Sequence, residues 1–316
     1  MEIAALAGGV GASKLLLGLH HAMDPRELAI IVNTGDDIVL HGLNISPDLD
    51  IVTYTLAGLV NPETGWGVRD DTFHTLNQLA VYGRPKWFNL GDRDLAAHMH
   101  RTSLMREGAS LSAVAQSIRE SLGVAARILP MSDQPVRTML ETDAGRLNFQ
   151  EYLVKHRAEP TIHKIDFDGA ERARPSPGVL KALAQAHGIV LCPSNPLISI
   201  GPILAVPGVR EALRKRRKDV VAVCPIVGGK SLKGPSDRMM AQLGFDVSAT
   251  GVARIYQDVC GTFLLDSADA GEQTAIEQLG MKVVISSTIM RTTEDKERLA
   301  REVLGLFDVR FAEANG

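Results

Sequence analysis

The chain has 316 residues, of which 45% are hydrophobic and 22% charged, and its formal net charge is −3. These values are ordinary for a globular protein and give no overall electrostatic attraction for nucleic acid. Three cysteines stand far apart and form no C-x-x-C pair, which favours buried thiols in a reducing compartment. The chain shows no basic signal peptide and no apolar run of about 20 residues, so we predict a cytoplasmic location.

A strand, a glycine turn and a helix open the chain. Residues 3–6 are apolar and end at glycines, and residues 13–23 have leucines at helical spacing. The continuous apolar run at 28–32 is typical of a parallel strand that is covered on both faces. This order predicts a βαβ unit, which is almost always right-handed.

The next hundred residues are mostly helical by pattern. We predict helices over 48–60, 70–82, 92–106 and 111–122, and a strand over 86–90. Short alternating stretches between 127 and 167 then predict antiparallel strands. Buried strands follow at 188–192, 220–224 and 282–286, with a closing helix over 294–306.

The predicted fold class is α/β, a Rossmann-like three-layer α/β/α arrangement with a mostly parallel sheet and a β-rich inserted subdomain. We assign residues 1–124 and 176–316 to the nucleotide-binding core. Residues 125–175 form the predicted insertion.

The motif AGGVGASK follows the first strand and resembles several phosphate-binding loops without matching any of them. Its glycines would let a backbone pass close to a phosphate at a helix N-terminus. The Gly-Lys-Ser/Thr ending of a P-loop is missing, and Lys14 stands where a dinucleotide fingerprint needs its third glycine. The loop therefore predicts phosphate or nucleotide binding and argues against ATP hydrolysis and NAD; a purely structural turn is the alternative.

Acidic residues follow the second strand. Asp36 and Asp37 lie at its carboxyl end, where ligands gather in open α/β sheets, and adjacent carboxylates suit Mg²⁺. Asp48 is interpreted as a helix N-cap, whereas Asp50 could point back at the same crevice. The alternative is a solvated acidic loop.

Three further loops carry candidate ligand contacts. Trp66 stands between glycines and suits either stacking on a planar ligand or anchoring a core. Asp92 could cap the following helix, and Arg93 could meet a phosphate. The loops at 192–208 and 224–237 follow buried strands and are dense in Gly, Pro, Ser and Asn, which predicts ligand contact.

Together these motifs resemble the 2-phospho-L-lactate transferase family of deazaflavin coenzyme F(420) biosynthesis. The resemblance rests on AGGVGASK, VNTGDDIVLHGLNISPDLD, NPETGWGVRDDTFH, LGDRDLAAHMHRT, PSNPLISIGPILAVPG and PIVGGKSLKGPSD in this order, and it extends over nearly the whole chain. It implies a donor in which guanosine diphosphate carries a three-carbon acid (lactate, enolpyruvate or glycerate). The implied acceptor is 7,8-didemethyl-8-hydroxy-5-deazariboflavin, whose ribityl hydroxyl attacks while GMP leaves. Mg²⁺ and a homodimer are also implied.

The resemblance also implies roles for individual residues. The catalytic residues would be Asp37 and Asp50, and the metal ligands Asp36, Asp37 and Asp50. The guanosine diphosphate would contact Gly8, Gly9, Val10, Gly11, Ser194, Asn195, Pro196, Gly228, Gly229 and Lys230. The deazaflavin would contact Asp50, Trp66, Asn89 and Arg93, although the family often has a basic residue at position 89.

A related family, the gluconeogenesis-factor type that binds nucleotide sugars, has a similar opening. That family usually carries a D-G-G-S-S-G-like loop after the second strand, where this chain has Gly35, Asp36, Asp37 and Ile38. The transferase is therefore favoured, and the alternative is a non-catalytic nucleotide-sugar-binding regulator.

Overall fold

A seven-stranded sheet forms the centre of the molecule in the computed structural model, which describes residues 1–314. The strands of the chain are β1 (Ile3–Ala7), β2 (Leu28–Val32), β3 (Ile38–Leu40), β4 (Leu43–Ile45), β5 (Arg127–Pro130), β6 (Arg137–Thr142), β7 (Gly145–Asn148), β8 (Ile162–Asp168), β9 (Gly188–Leu191), β10 (Val220–Val223), β11 (Ile226–Val227), β12 (Lys230–Ser231), β13 (Thr262–Asp266) and β14 (Lys282–Ser286). The order in the central sheet is β14-β13-β10-β9-β1-β2-β5, and its neighbouring strands pair in parallel.

Helices cover both faces of this sheet. They are α1 (Gly9–Ala22), α2 (Pro47–Leu56), α3 (His74–Val81), α4 (Asp92–Arg106), α5 (Leu111–Ser121), α6 (Val179–Gln185), α7 (Gly201–Ala205), α8 (Val209–Lys215), α9 (Ser236–Gln242), α10 (Ala249–Tyr256), α11 (Gln273–Glu277) and α12 (Thr293–Ala314). Two wide turns of π-helix, Glu151–Lys155 and Pro196–Ile200, interrupt this pattern.

The strands are buried on both sides because helices cover both faces of the sheet. Successive residues of a strand point to opposite faces, so each strand contributes to two cores. Ala4 and Leu6 of β1 pack into a core with α6, α8 and α10, whereas Ile3 and Ala5 pack into a second core with α1, α2 and α12. Two cores on opposite faces of one parallel sheet make the predicted three-layer α/β/α fold, which is confirmed.

A separate antiparallel sheet, in the order β7-β6-β8, lies in the region predicted to be β-rich. It buries its own cluster, which includes Leu140, Phe149, Tyr152 and Ile162. The expectation that the first strand of this region is antiparallel is wrong, because β5 pairs in parallel with β2 at the edge of the central sheet. An edge strand exposes part of one face, and this produced the alternation that suggested an antiparallel strand. The division of the chain at residues 125 and 175 stays a prediction.

Two local predictions also differ from the structure. The segment 86–90 forms a loop, although Phe88 and Leu90 are buried with Ile38 and Ile45. Helix α3 begins four residues later than predicted, because the carboxylate of Asp92 accepts the first free N–H groups of that helix, at 3.0 and 2.9 Å. By contrast, α4 spans the predicted residues 92–106.

Within residues 1–314, no single helix is both long and apolar enough to cross a bilayer. One bent pair of helical segments in this range, Pro196–Ala205 with Val209–Lys215, is long and apolar enough when the two are taken together.

The strand order reverses direction between β1 and β9. From β1 the chain proceeds to β2 and β5 on one side, and β9, β10, β13 and β14 extend to the other. Helix α1, which follows β1, and helix α8, which follows β9, therefore cover opposite faces of the sheet, and a crevice opens beside the loops that lead to them. Ligands bind at such switch points in open α/β sheets, so this edge is where a site is expected.

Candidate functional site

A cavity of about 690 Å³ opens at this switch point. Its walls come from segments that are distant in sequence, because the loops after several parallel strands meet at one edge. The lining includes Gly8, Gly9, Val10, Gly11, Lys14, Asp36, Asp48, Trp66, Phe88, Asn89, Phe149, Ser194, Asn195, Ser199, Lys233, Ser236 and Arg291. The volume is that of a site for a small-molecule ligand.

The glycine loop forms the floor of the cavity. β1 ends at Ala7, and α1 already begins at Gly9, so the free N–H groups of its first turn open at the cavity. A Cβ on Gly8 would lie 2.8 Å from the Asp48 carboxylate, and one on Gly11 would collide with the Pro193 carbonyl oxygen. Glycine is required here because the backbone passes close to two other loops.

The loop after β9 fixes the glycine loop from the opposite side of the crevice. The Ser194 hydroxyl donates to the carbonyl of Gly8 at 2.8 Å and accepts from its N–H group at 3.2 Å. The Asn195 side chain caps its own wide turn by accepting from the N–H groups of Leu197 and Ile198. Ser194 and Asn195 line the cavity, whereas Pro196 is buried beside it, and their contact with guanosine diphosphate stays a prediction.

Two buried carboxylates, Asp36 and Asp48, face the cavity together. Burial and the neighbouring Asp48 raise the pKa of Asp36 well above its usual range, and burial raises the pKa of Asp48 to about 6. The Asn33 amide donates to Asp48 at 2.9 Å, but among the residues that the structure describes no group donates a hydrogen bond to Oδ1 of Asp36. A buried carboxylate pair with an unpaired oxygen is a fitting place for a divalent cation, which would offset both charges.

Asp37 and Asp50 lie outside this cavity. Asp37 accepts from the Ser46 hydroxyl at 2.8 Å, and burial raises its pKa to about 7. Asp50 lies behind Trp66 and Phe88, in a small separate pocket. The structure thus brings together Asp36 and Asp48, where the sequence had grouped Asp36 with Asp37 and Asp50.

Asp50 belongs to a buried polar network. The Arg101 guanidinium donates to Oδ1 of Asp50 and to Nδ1 of His98, and the Tyr54 hydroxyl donates to Asp94 at 2.9 Å. Asp50, Asp94 and His98 each offer one ligand atom, all within 4.8 Å of one another, so this triad is a second place that could hold a metal. The Arg101 charge already offsets Asp50 there, which makes the triad less in need of a cation than Asp36 and Asp48.

Aromatic groups form another wall. Trp66 lies on the cavity with 36% of its surface exposed, between glycines at φ of 67° and 72°, and Phe88 and the exposed Asn89 lie nearby. Arg93 does not line the cavity, because its guanidinium donates to the Arg69 carbonyl at 3.0 Å. Of the predicted deazaflavin contacts, Trp66 and Asn89 therefore face the cavity.

The loop after β10 contributes residues other than those predicted. Gly228 and Gly229 form the turn between β11 and β12, and Lys230 begins β12. None of the three lines the cavity, and the Gly228 N–H donates to Asp269 at 2.9 Å. The cavity wall uses the next segment, residues 232–236.

Sequence reasoning missed Asp48, which had been interpreted as a helix cap. Proline is favoured at the first helical position, so Pro47 places the cap at Ser46 and Asp48 inside the first turn. That signal was present in the sequence. The contribution of Phe149, Gln150 and Leu153 was also missed, because no local pattern indicates that the antiparallel region reaches the switch point.

Known proteins resemble this chain over nearly its full length. The family model described as 2-phospho-L-lactate transferase CofD matches residues 3–301. A phosphoenolpyruvate transferase from Streptomyces griseus is 43% identical over 312 residues, covering 97% of this chain and 98% of the relative. A 2-phospho-L-lactate transferase from Methanosarcina mazei is 40% identical over 301 residues, covering 95% and 99%.

Among solved structures, a UPF0052-family protein from Bacillus halodurans superposes with a TM-score of 0.64 at 16% identity, covering 96% of this chain and 99% of that one. That likeness shows the fold. The match to the family model and the full-length identity to two transferases show more: the chain belongs to the 2-phospho-L-lactate transferase CofD family.

Proposed function

We propose that this protein transfers a phospho-three-carbon-acid group from a guanosine-diphosphate-linked donor to the ribityl hydroxyl of 7,8-didemethyl-8-hydroxy-5-deazariboflavin, with release of GMP. The observation that carries the proposal is the cavity at the switch point. It joins a helix N-terminus, which favours phosphate, to the buried carboxylates Asp36 and Asp48. The two relatives that match nearly the whole chain are named as a phosphoenolpyruvate transferase and a 2-phospho-L-lactate transferase, which supports the proposal.

The donor's phosphates would bind over the glycine loop. Free N–H groups of the first turn of α1 and the positive end of its dipole stabilise negative charge there. The Ser194 hydroxyl fixes the backbone of Gly8, so the loop needs little rearrangement when charge develops at phosphorus. Trp66 would stack against the deazaflavin ring, which positions its ribityl chain toward the phosphates.

Asp36 and Asp48 would hold Mg²⁺, because their oxygens are buried, close together and incompletely paired. The ion would supply charge neutralisation on the transferred phosphoryl group. The proton that the attacking hydroxyl loses would pass to a carboxylate oxygen of this pair that does not contact the ion.

The test is a reconstituted reaction. The purified chain would be incubated with Mg²⁺, the deazaflavin riboside and, in turn, the donors in which guanosine diphosphate carries lactate, enolpyruvate or glycerate. We expect one donor to give, in equal amounts by mass spectrometry, GMP and the deazaflavin that carries the phospho-three-carbon acid on its ribityl chain, and EDTA to abolish both. Asp48→Asn should lose turnover, whereas Asp168→Asn, an exposed carboxylate on β8, should not.

Absence of product with all three donors would refute the transferase. A nucleotide-sugar regulator would instead show a rise in melting temperature with a UDP-sugar, no rise with GDP, and no turnover.

A further inference from the structure

Two lysines also line the cavity. Lys14 is in α1, and Lys233 is in the segment after β12. The Lys14 ammonium donates to the Met290 carbonyl at 3.1 Å, and the Lys233 ammonium donates to the Thr64 carbonyl at 2.9 Å. Each is thus held in place by a neutral backbone acceptor.

Neither ammonium has a carboxylate partner within the part of the chain that the structure describes. An ammonium has three N–H donors, so each lysine can bind an anion while keeping its backbone contact. Burial and the charges of Lys233 and Lys296 lower the pKa of Lys14, which reflects positive charges crowded on this wall. An anion there would relieve that repulsion.

Lys233 and the Asp48 carboxylate lie beside different residues of the glycine loop. A Cβ on Gly65 would lie 3.3 Å from the Val10 side chain and 3.4 Å from the Lys233 ammonium, so these groups are neighbours. Asp48 instead approaches Gly8 and Gly9. The glycine loop therefore has the Asp48 carboxylate beside Gly8 and Gly9 and the Lys233 ammonium on the side of Val10.

We propose that Lys14 and Lys233 form an anion subsite that binds a phosphate or carboxylate group of the donor. The inference rests on the proposed function, whose donor carries two phosphates and a carboxylate on one molecule. With a cation at Asp36 and Asp48, the donor's negative groups would be neutralised from both sides of the glycine loop. The lysines would then orient the donor, which makes them positioning and binding residues.

The experiment measures binding of three probes by calorimetry: GDP, GMP and free phosphoenolpyruvate, each with Mg²⁺. The variants are Lys14→Met, Lys233→Met and the charge-preserving Lys14→Arg, with Lys181→Met as an exposed control on α6. We expect each methionine variant to weaken at least one probe about tenfold or more, with weaker binding at high salt. Lys14→Arg should retain most of the affinity, which a merely structural role would not predict.

The probes separate the two sources of the anion. Weaker GDP binding with unchanged phosphoenolpyruvate binding assigns the subsite to the diphosphate, and the opposite pattern assigns it to the three-carbon acid. Unchanged affinity for all probes in both methionine variants, an equal loss in Lys181→Met, or no binding of any probe to the parent protein would overturn the subsite. Lysine-dependent binding without turnover would leave the subsite standing and refute the transferase.

Discussion

Replacing Asp48 by asparagine should stabilise the metal-free protein while removing its activity. A tenfold change in proton affinity corresponds to about 1.4 kcal/mol. Because burial raises the pKa of Asp48 from 3.8 to about 6, keeping this carboxylate ionised at pH 8 costs the folded state about 3 kcal/mol. The variant avoids that cost but weakens the hydrogen bonding around Asn33 and Gly9, at about 1 kcal/mol. We expect a net gain of about 2 kcal/mol.

The sign of the pH dependence follows from the direction of the shift. A carboxyl whose pKa is higher in the folded state contributes stability below pH 4 that is lost as the pH rises through 6. The advantage of Asp48→Asn should therefore be absent near pH 4 and complete by pH 8.

Urea unfolding in EDTA, followed by circular dichroism at both pH values, measures this difference, with Asp168→Asn as the control. Adding Mg²⁺ at pH 8 should stabilise the parent protein and leave the variant unchanged. A variant that is less stable than its parent at pH 8 in EDTA would refute the reasoning. The same conclusion would follow if the free energies of unfolding of the two proteins differed by the same amount at both pH values.

Three further predictions concern the surroundings of the site. Arg101→Leu should cost about 3–5 kcal/mol in urea unfolding because it leaves Asp50 buried without its partner, and adding Asp50→Asn should recover part of the loss; a cost below about 1 kcal/mol would contradict this. Gly11→Ala should lower the free energy of unfolding by about 1–3 kcal/mol and weaken the binding of GDP. Gly271→Ala, whose Cβ would meet open space, should change neither quantity. Trp66→Ala should raise the KM for the deazaflavin about tenfold with a smaller change in kcat, and steady-state kinetics giving an unchanged KM would remove Trp66 from the acceptor site.

Much of the fold could be predicted because its signals are local. Continuous apolar runs such as residues 28–32 and 220–223 are strands in the centre of the sheet, where both faces are covered. The run at 86–90, KWFNL, also contains large apolar residues but is a loop, since its aromatic side chains fill a small core with residues of β3 and β4 without pairing to a strand. The apolar residues there correctly indicated burial, but whether a buried segment pairs with a strand depends on residues far away in sequence.

The candidate site was predictable only in part for the same reason. The glycine loop, Ser194 and Asn195 follow strands directly, so topology alone carries them to the switch point. Whether Asp48 or Asp50 faces the cavity depends on the rotation of α2 about its axis. Residues two positions apart on a helix point in nearly opposite directions, so only one of the two can face the cavity. Lys233 reaches the cavity through the hairpin between β11 and β12, whose direction no local pattern indicates.

The cavity wall begins at Gly8 and ends at Arg291, so nearly the whole length of the chain lies between its first and last contributors. Contacts between such distant residues require large loops to close before they contribute, which slows folding compared with a chain of mainly local contacts. No short fragment can assemble this wall. The capacity to bind ligand should therefore appear late during refolding, together with the completed central sheet, and ligand binding would report on the last cooperative step of folding.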